Sequence, residues 1–314
     1  MNKAQSLRLQ LECDGQDRLD RILALQLRPL HPEFPLSRRW LKPLFRFGQI
    51  RIDGRKANAS LVPAQGLHTI EIESWDPEAL RREFTARPAP GGPFIPIVYE
   101  DEFLLVLDKP SGTPSTPHSG KETDTAVNSA LAHCPGLAGV GNSTLEPGLL
   151  HRLDTATRGL LVFARRADEF ERVRALWQAG EVTKIYRAWV MHAPEETLIE
   201  FPLGHDRRSA KRMVAIRNED DWNRIRGNPS QGVTEVLDTQ VEEDGRVRLV
   251  IRLHGGAMHQ IRCHLAAVGC PVIGDTLYGG VPAPGLELQA WKLVIPLGDR
   301  ATPDAGELTL ESRL

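Results

Sequence analysis

GLLHRLDTATRGLLVFAR, residues 148–165, decides how the chain is read. The apolar run Gly148-Leu149-Leu150 leads into His151-Arg152-Leu153-Asp154, then Thr155-Ala156-Thr157-Arg158-Gly159, then the strand-like run 160–164. Polar residues held between two apolar runs predict a loop pinned against a core. Taken alone, Asp154 could do no more than cap a turn with Arg152 as its ion partner.

Working outward, IPIVYEDEFLLVLDKPSG at 95–112 reads as two short strands around an acidic turn. Helix-like patterns follow at 121–134, 167–180 (Phe170, Val173, Leu176 and Trp177 on one face) and 259–268. Strand-like runs also fall at 185–191, 247–253 and 291–296. The two kinds of element do not alternate regularly. The spacing therefore predicts an α+β domain on a mixed or antiparallel sheet over 96–314.

Upstream, residues 15–74 read as a small α/β unit. Asp17 is placed to cap a helix with Leu19, Ile22, Leu23 and Leu27 on its apolar face, and Ser37 a second with Trp40, Leu41, Leu44 and Phe45. Pro43 inside the second pattern costs stability. Asp53-Gly54 predicts a hairpin turn, and 67–74 alternates as a strand. Residues 75–95, rich in Pro, Gly and Arg, read as a linker.

Composition limits the function. With 314 residues the chain has room for two domains. Its 39 basic and 41 acidic side chains give a net charge of −2, which excludes a uniformly basic nucleic-acid binder but not one with a basic face. Such a face is written between Arg38 and Lys56: Arg38, Arg39, Lys42, Arg46, Arg51, Arg55 and Lys56 stand against one acid, Asp53. A helix and a hairpin that pack together would turn that run into one phosphate-binding surface. No apolar stretch is long enough to cross a membrane and the N-terminal residues carry no signal-peptide pattern, so a cytoplasmic protein is expected. Cys13, Cys134, Cys263 and Cys270 form no CxxC pair and are expected as free thiols.

Several patterns fail on their own chemistry. Gly112 to Gly120-Lys121 is misspaced for a phosphate loop, and Glu122 stands where Ser or Thr must bind magnesium. Gly139–Asn142 is too short a glycine motif. His254, His259 and His264 recur every five residues, a spacing that does not put metal ligands on one helical face.

The segment HRLD followed by Thr155, Gly159 and LLVFA resembles the catalytic motif of the RluA-type pseudouridine synthases. Further pieces resemble that family's motifs in the family's order: DKPSG (108–112), KIYRAWV (184–190), GHDRRSAKRM (204–213) and HQIRCHLAAVGCPVIGDTLYGG (259–280). The first 74 residues resemble the S-four-like RNA-binding module that often precedes this catalytic domain. Two departures stand out. Arg158 replaces the family's serine, and Gly255-Gly256-Ala257-Met258 replaces its T-G-R-x, so one basic residue is lost near the site and Arg158 is the candidate replacement.

The resemblance implies a sheet with a central cleft, no cofactor and no metal. It implies an isomerase that breaks the bond from ribose to nitrogen 1 of uracil and rejoins the base through carbon 5. Asp154 is then the catalytic carboxylate, with attack on the anomeric carbon, attack on carbon 6 and removal of a ribose 2′ proton all open. A carboxylate in a largely dry pocket needs a cation beside it to stay ionised, and Arg262 takes that role. Tyr186 stacks on the uracil and helps remove the carbon-5 proton. Flipping a uridine out of folded RNA costs a few kcal/mol. Arg152 fills the vacated space or holds the RNA, and His151 shapes the same loop. Phosphate contacts come from the 38–56 run and from Arg207, Arg208, Lys211 and Arg212. The expected partner is structured RNA, large-subunit ribosomal RNA before transfer RNA, bound by a monomer. Alternatives are a non-catalytic RNA-binding or ribosome-assembly factor and a carboxylate glycosidase, which would need a second paired acid.

Overall fold

The computed structural model describes residues 5–30, 38–298 and 306–314, which divide into two compact units. The first takes in the described residues up to Ala86 with His118–Glu122 and Ser143–Leu145. Its strands β1 (Gln5–Cys13), β2 (Ile50–Ile52), β3 (Arg55–Lys56) and β4 (Gly66–Trp75) form a sheet of order β1-β4-β2-β3. Helices α1 (Leu19–Leu27) and α2 (Arg38–Arg46) cover it through Leu19, Leu23, Leu27, Trp40, Leu41 and Leu44. The hairpin turn is as expected, with Asp53 and Gly54 both at positive φ.

Three expectations need correction here. Asp17 does not cap α1; it pairs with Arg21 at 2.8 Å, while the N–H groups of Leu19 and Asp20 donate to the carbonyls of Leu61 and Ala59. The unit begins before residue 15, because β1 pairs along the length of β4. The stretch read as a linker is structured: α3 (Pro77–Glu83) is capped by Asp76 and buries Leu80 and Phe84 in the first core, where Phe84 stacks on Trp40. Beyond Ala86 the backbone is tied to the second unit, with Arg87 and Pro93 carbonyls accepting from Asn128 and Ser129. Ser37 lies outside the described residues, as does the side chain of Arg39.

The second unit is the expected α+β domain on a mixed sheet. Its strands are β5 (Ile97–Glu100), β6 (Leu104–Lys109), β7 (Arg158–Ala164), β8 (Thr183–Val190), β9 (Leu198–Ile199), β10 (Leu203–Asp206), β11 (Met213–Ala215), β12 (Ile225–Ser230), β13 (Val233–Val241), β14 (Val247–His254), β15 (Leu288–Pro296) and β16 (Glu307–Glu311). Nine of them form one sheet in the order β5-β6-β7-β15-β8-β14-β13-β9, with β16 on β15; β11-β10-β12 form a smaller one. Within the large sheet only β7 and β15 run parallel, through the pairs Arg158–Gln289 and Gly159–Ala290. Gly159 is obligatory there: its φ is 119°, and a Cβ would lie 2.2 Å from the Ala290 carbonyl oxygen.

The helices are α4 (Ala126–His133), α5 (Ala167–Ala179), α6 (Glu219–Trp222) and α7 (Gln260–Ala267). The helix expected from 121 starts only at Ala126, because Thr125 and Asn128 cap it reciprocally. Helix α5 packs Phe170 and Val173 into a core with Leu160, Val162, Leu293 and Ile295, and stops at Gly180 in the left-handed region. Central strand β8 alternates Tyr186 and Ala188 with Arg187 and Trp189, so these pairs face opposite sides of the sheet.

Candidate active site

Asp154 sits in the loop that feeds β7, and the loop is pinned from behind by the segment after β6. Ser115 Oγ donates to the Leu153 carbonyl at 2.7 Å and accepts from the Leu153 N–H at 3.0 Å. The Gly112 N–H and the Ser111 hydroxyl donate to the carbonyls of Thr155 and Ala156. Lys109, fully buried, donates from Nζ to the carbonyls of Pro110, Thr113 and Thr155 at 3.1, 2.7 and 3.2 Å. Burial pushes the Lys109 pKa down to about 8 against the pull of Asp154. The DKPSG stretch thus serves as the mount of the aspartate loop.

Arg262 reaches the same place from the first turn of α7, 108 residues further along the chain. Its Nη1 donates to Asp154 Oδ2 at 2.8 Å, while Nε and Nη2 grip both oxygens of Asp275 at 2.7 and 2.9 Å. Asp275 is 1% exposed and Arg262 10%, whereas the Asp154 side chain is 26% exposed. Asp275 is therefore the anchor, and Asp154 the carboxylate a substrate can reach. Burial opposes the charge on Arg262, but its hydrogen bonds to Asp275 and Asp154 outweigh that and raise its pKa. The Tyr278 ring lies under the guanidinium at 5.3 Å.

Tyr186 projects from the middle of β8 and is buried. Burial, with the Asp154 charge added, raises its phenol pKa, so the hydroxyl keeps its proton at neutral pH. His259 stands with Nε2 3.6 Å from Asp154 Oδ2 and Nδ1 3.0 Å from the Tyr278 hydroxyl.

The structure joins Arg262 to Asp154, leaves Tyr186 within the influence of the Asp154 charge, and sorts the other residues. Arg152 is exposed beside the aspartate and pairs loosely with Glu146 at 3.4 Å. His151 faces the scaffold instead: Nε2 accepts from the Val162 N–H and the ring stacks on Trp177 at 4.6 Å. Burial lowers its pKa to about 3, so it is a neutral loop anchor rather than an RNA contact. Arg158 does not replace the missing base. It pairs with Glu287 and packs on Trp189, on the sheet face away from Tyr186. In the β10–β11 connection Arg208 and Lys211 are exposed, Arg207 bonds the Ile225 carbonyl, and Arg212 leans over Tyr278 at 5.6 Å.

In the first unit Arg38, Lys42 and Arg46 are exposed at intervals of four along α2, and Arg55 and Lys56 at the hairpin, with Lys56 lying against Gly48 just past the helix. Arg51 is instead committed to Glu73 at 2.7 Å. The three histidines spaced by five go to different places: His254 to Glu235, His264 between Thr234 and Phe201, and His259 to the site. Sequence reasoning assigned no role to Asp275, Tyr278 or Lys109. All three lie in motifs quoted for the resemblance, and that placement was the available signal.

The fold has a solved counterpart, and the family match gives the class. The structure resembles that of the human RNA pseudouridylate synthase domain containing 1 protein, with a TM-score of 0.52 at 22% identity over 69% of this chain and 82% of that one. The profile of the RNA pseudouridylate synthase family matches residues 103–267, over half of the chain. The chain belongs to that family and is an RNA pseudouridine synthase, an isomerase. Ribosomal large subunit pseudouridine synthase D of Pseudomonas aeruginosa is 31% identical over 274 residues, covering 85% of this chain and 75% of that protein. An RNA pseudouridine synthase of Chloroflexus aurantiacus is 35% identical over 264 residues, covering 84% and 75%. No helix among the described residues is long and apolar enough to cross a membrane.

Proposed function

We propose that the protein converts specific uridines of structured RNA to pseudouridine, that its target is large-subunit ribosomal RNA, and that Asp154 is the reacting carboxylate. The 2.8 Å hydrogen bond from Arg262 to Asp154 carries this reading. It joins two distant motifs at the one carboxylate of the cluster that is open to a ligand. A charge-assisted bond of this kind holds the carboxylate in place as it meets the nucleoside.

Tyr186 supplies a ring for the uracil. Its neutral phenol can take the carbon-5 proton only by handing its own to a base, and Asp154 is the carboxylate whose charge it feels. Arg152 enters the space left by the flipped base. Arg207, Arg208, Lys211 and Arg212, and in the first unit Arg38, Arg39, Lys42, Arg46, Arg55 and Lys56, hold phosphates. We read that unit (with its boundary moved to Ala86) as the S-four-like RNA-binding module. The ribosomal target is supported by the name of the Pseudomonas relative.

RNA labelled with tritium at carbon 5 of uridine tests the chemistry. Wild type releases tritium, and Asp154→Asn releases none while still binding RNA; turnover by the variant rejects the assignment. Pseudouridine maps of cellular RNA with and without the gene test the target. A site lost only from transfer RNA would replace the ribosomal reading.

A further inference from the structure

One side chain next to Asp154 has no part in the chemistry above. His259 precedes α7 with φ 55° and ψ 24°, a left-handed backbone that is uncommon for any residue but glycine. It stands at the N-cap of the helix yet makes no side-chain cap bond. Its ring is committed elsewhere: Nδ1 to Tyr278, Nε2 toward Asp154.

The proton positions on this chain can be assigned. The Tyr278 hydroxyl accepts from the Met213 backbone N–H at 2.8 Å, and the ring is buried. Its own proton needs an acceptor, and among the described residues the one in hydrogen-bond reach is His259 Nδ1 at 3.0 Å. Tyr278 therefore donates to Nδ1, and the neutral imidazole carries its proton on Nε2, facing Asp154. The rings meet edge to face, 5.7 Å apart at 89°. The charged and titratable groups around the ring are Asp154, Arg262, Asp275 and Tyr278. Burial and the nearby Arg262 charge lower the His259 pKa against the pull of Asp154, so the ring stays neutral.

We propose that His259 is a positioning residue whose Nε2–H, set by the Met213–Tyr278 relay, holds Oδ2 of Asp154 together with Arg262 and leaves Oδ1 for the uridine. The 3.6 Å gap is one that substrate closes, as catalytic hydrogen bonds commonly tighten on binding. The proposal rests on Asp154 being the reacting carboxylate.

Three variants and one spectrum test it. Asparagine tolerates the left-handed backbone and can still meet Tyr278, but it is too short to reach Asp154. His259→Asn is expected to melt like wild type and keep KM, with kcat down about tenfold. His259→Gln, whose amide nitrogen sits near the Nε2 position, recovers most of that loss. Nitrogen-15 histidine spectra of the full chain should show His259, assigned by its disappearance in either variant, as the Nε2–H tautomer; Tyr278→Phe should mix the tautomers and lower kcat. Wild-type kcat in His259→Asn, or an Nδ1–H tautomer in wild type, overturns the proposal. Turnover by Asp154→Asn in the same assay would instead overturn the Asp154 assignment, and the tautomer is read independently of it.

Discussion

Arg262 has one geometry available because Asp275 leaves it no other. Two of its nitrogens are fixed on a carboxylate that water scarcely reaches, so the third can only point at Asp154. Removing either buried partner strands the other's charge. Asp275→Leu and Arg262→Leu should each cost roughly 3–5 kcal/mol in urea unfolding, and the double variant should cost clearly less than their sum. Additive losses would mean that the two groups do not share one network. At this scale the sequence was legible where a residue's meaning is chemical. Asp154, Tyr186 and Arg262 stand in recognisable motifs. Asp275, Tyr278 and His259 mean something only through partners 13 to 105 residues away (Asp275 to Arg262, His259 to Asp154), and no local pattern states that distance.

Among the elements, the end of β6 and the segment that follows it do the most for the site. Lys109 ties three carbonyls, one of them in the aspartate loop. Its folded pKa of about 8 lies below the 10.5 of the free side chain. Below pH 8 both states carry the proton and the cost of burying it stands in full. Between 8 and 10.5 the unfolded chain keeps a proton that the folded one has released, so this group's contribution to stability rises by roughly 3 kcal/mol. The stability of wild type minus that of Lys109→Met should therefore grow through that window; a flat difference in pH-resolved denaturation would place the lysine outside the core.

Strands with strong alternation, such as β4, β8 and β14, were readable in advance. Strand β13 was not, because five of its nine residues are exposed and its hydrophobic face is short. Helix α3 was hidden by the prolines and glycines around it, with only Leu80 and Phe84 to mark its buried face. The cap of α1 comes from carbonyls of Ala59 and Leu61, some forty residues on.

At the scale of the whole molecule, charge is placed rather than accumulated. The chain carries −2 overall, yet α2 lines up three exposed cations that have no ion pair among the described residues. Replacing Arg38, Lys42 and Arg46 together by alanine should lower the salt slope of RNA binding by about 2–3 and leave kcat at saturating RNA unchanged. An unaltered slope in fluorescence anisotropy would remove α2 from the interface. The division into an α/β unit and an α+β unit was legible from pattern and composition. The boundary was not, because contacts of the folded chain set it and not the density of prolines.

The parallel contact of β7 with β15 amounts to two residue pairs. Strand β6, which ends in the lysine that mounts the acid loop, and β7, which leaves that loop, meet the strand pair β15-β8, which bears Tyr186, across that short splice. One of its four residues is Gly159, where not even a methyl group fits. A single added carbon at that seam would pry the acid from the ring without touching either of them.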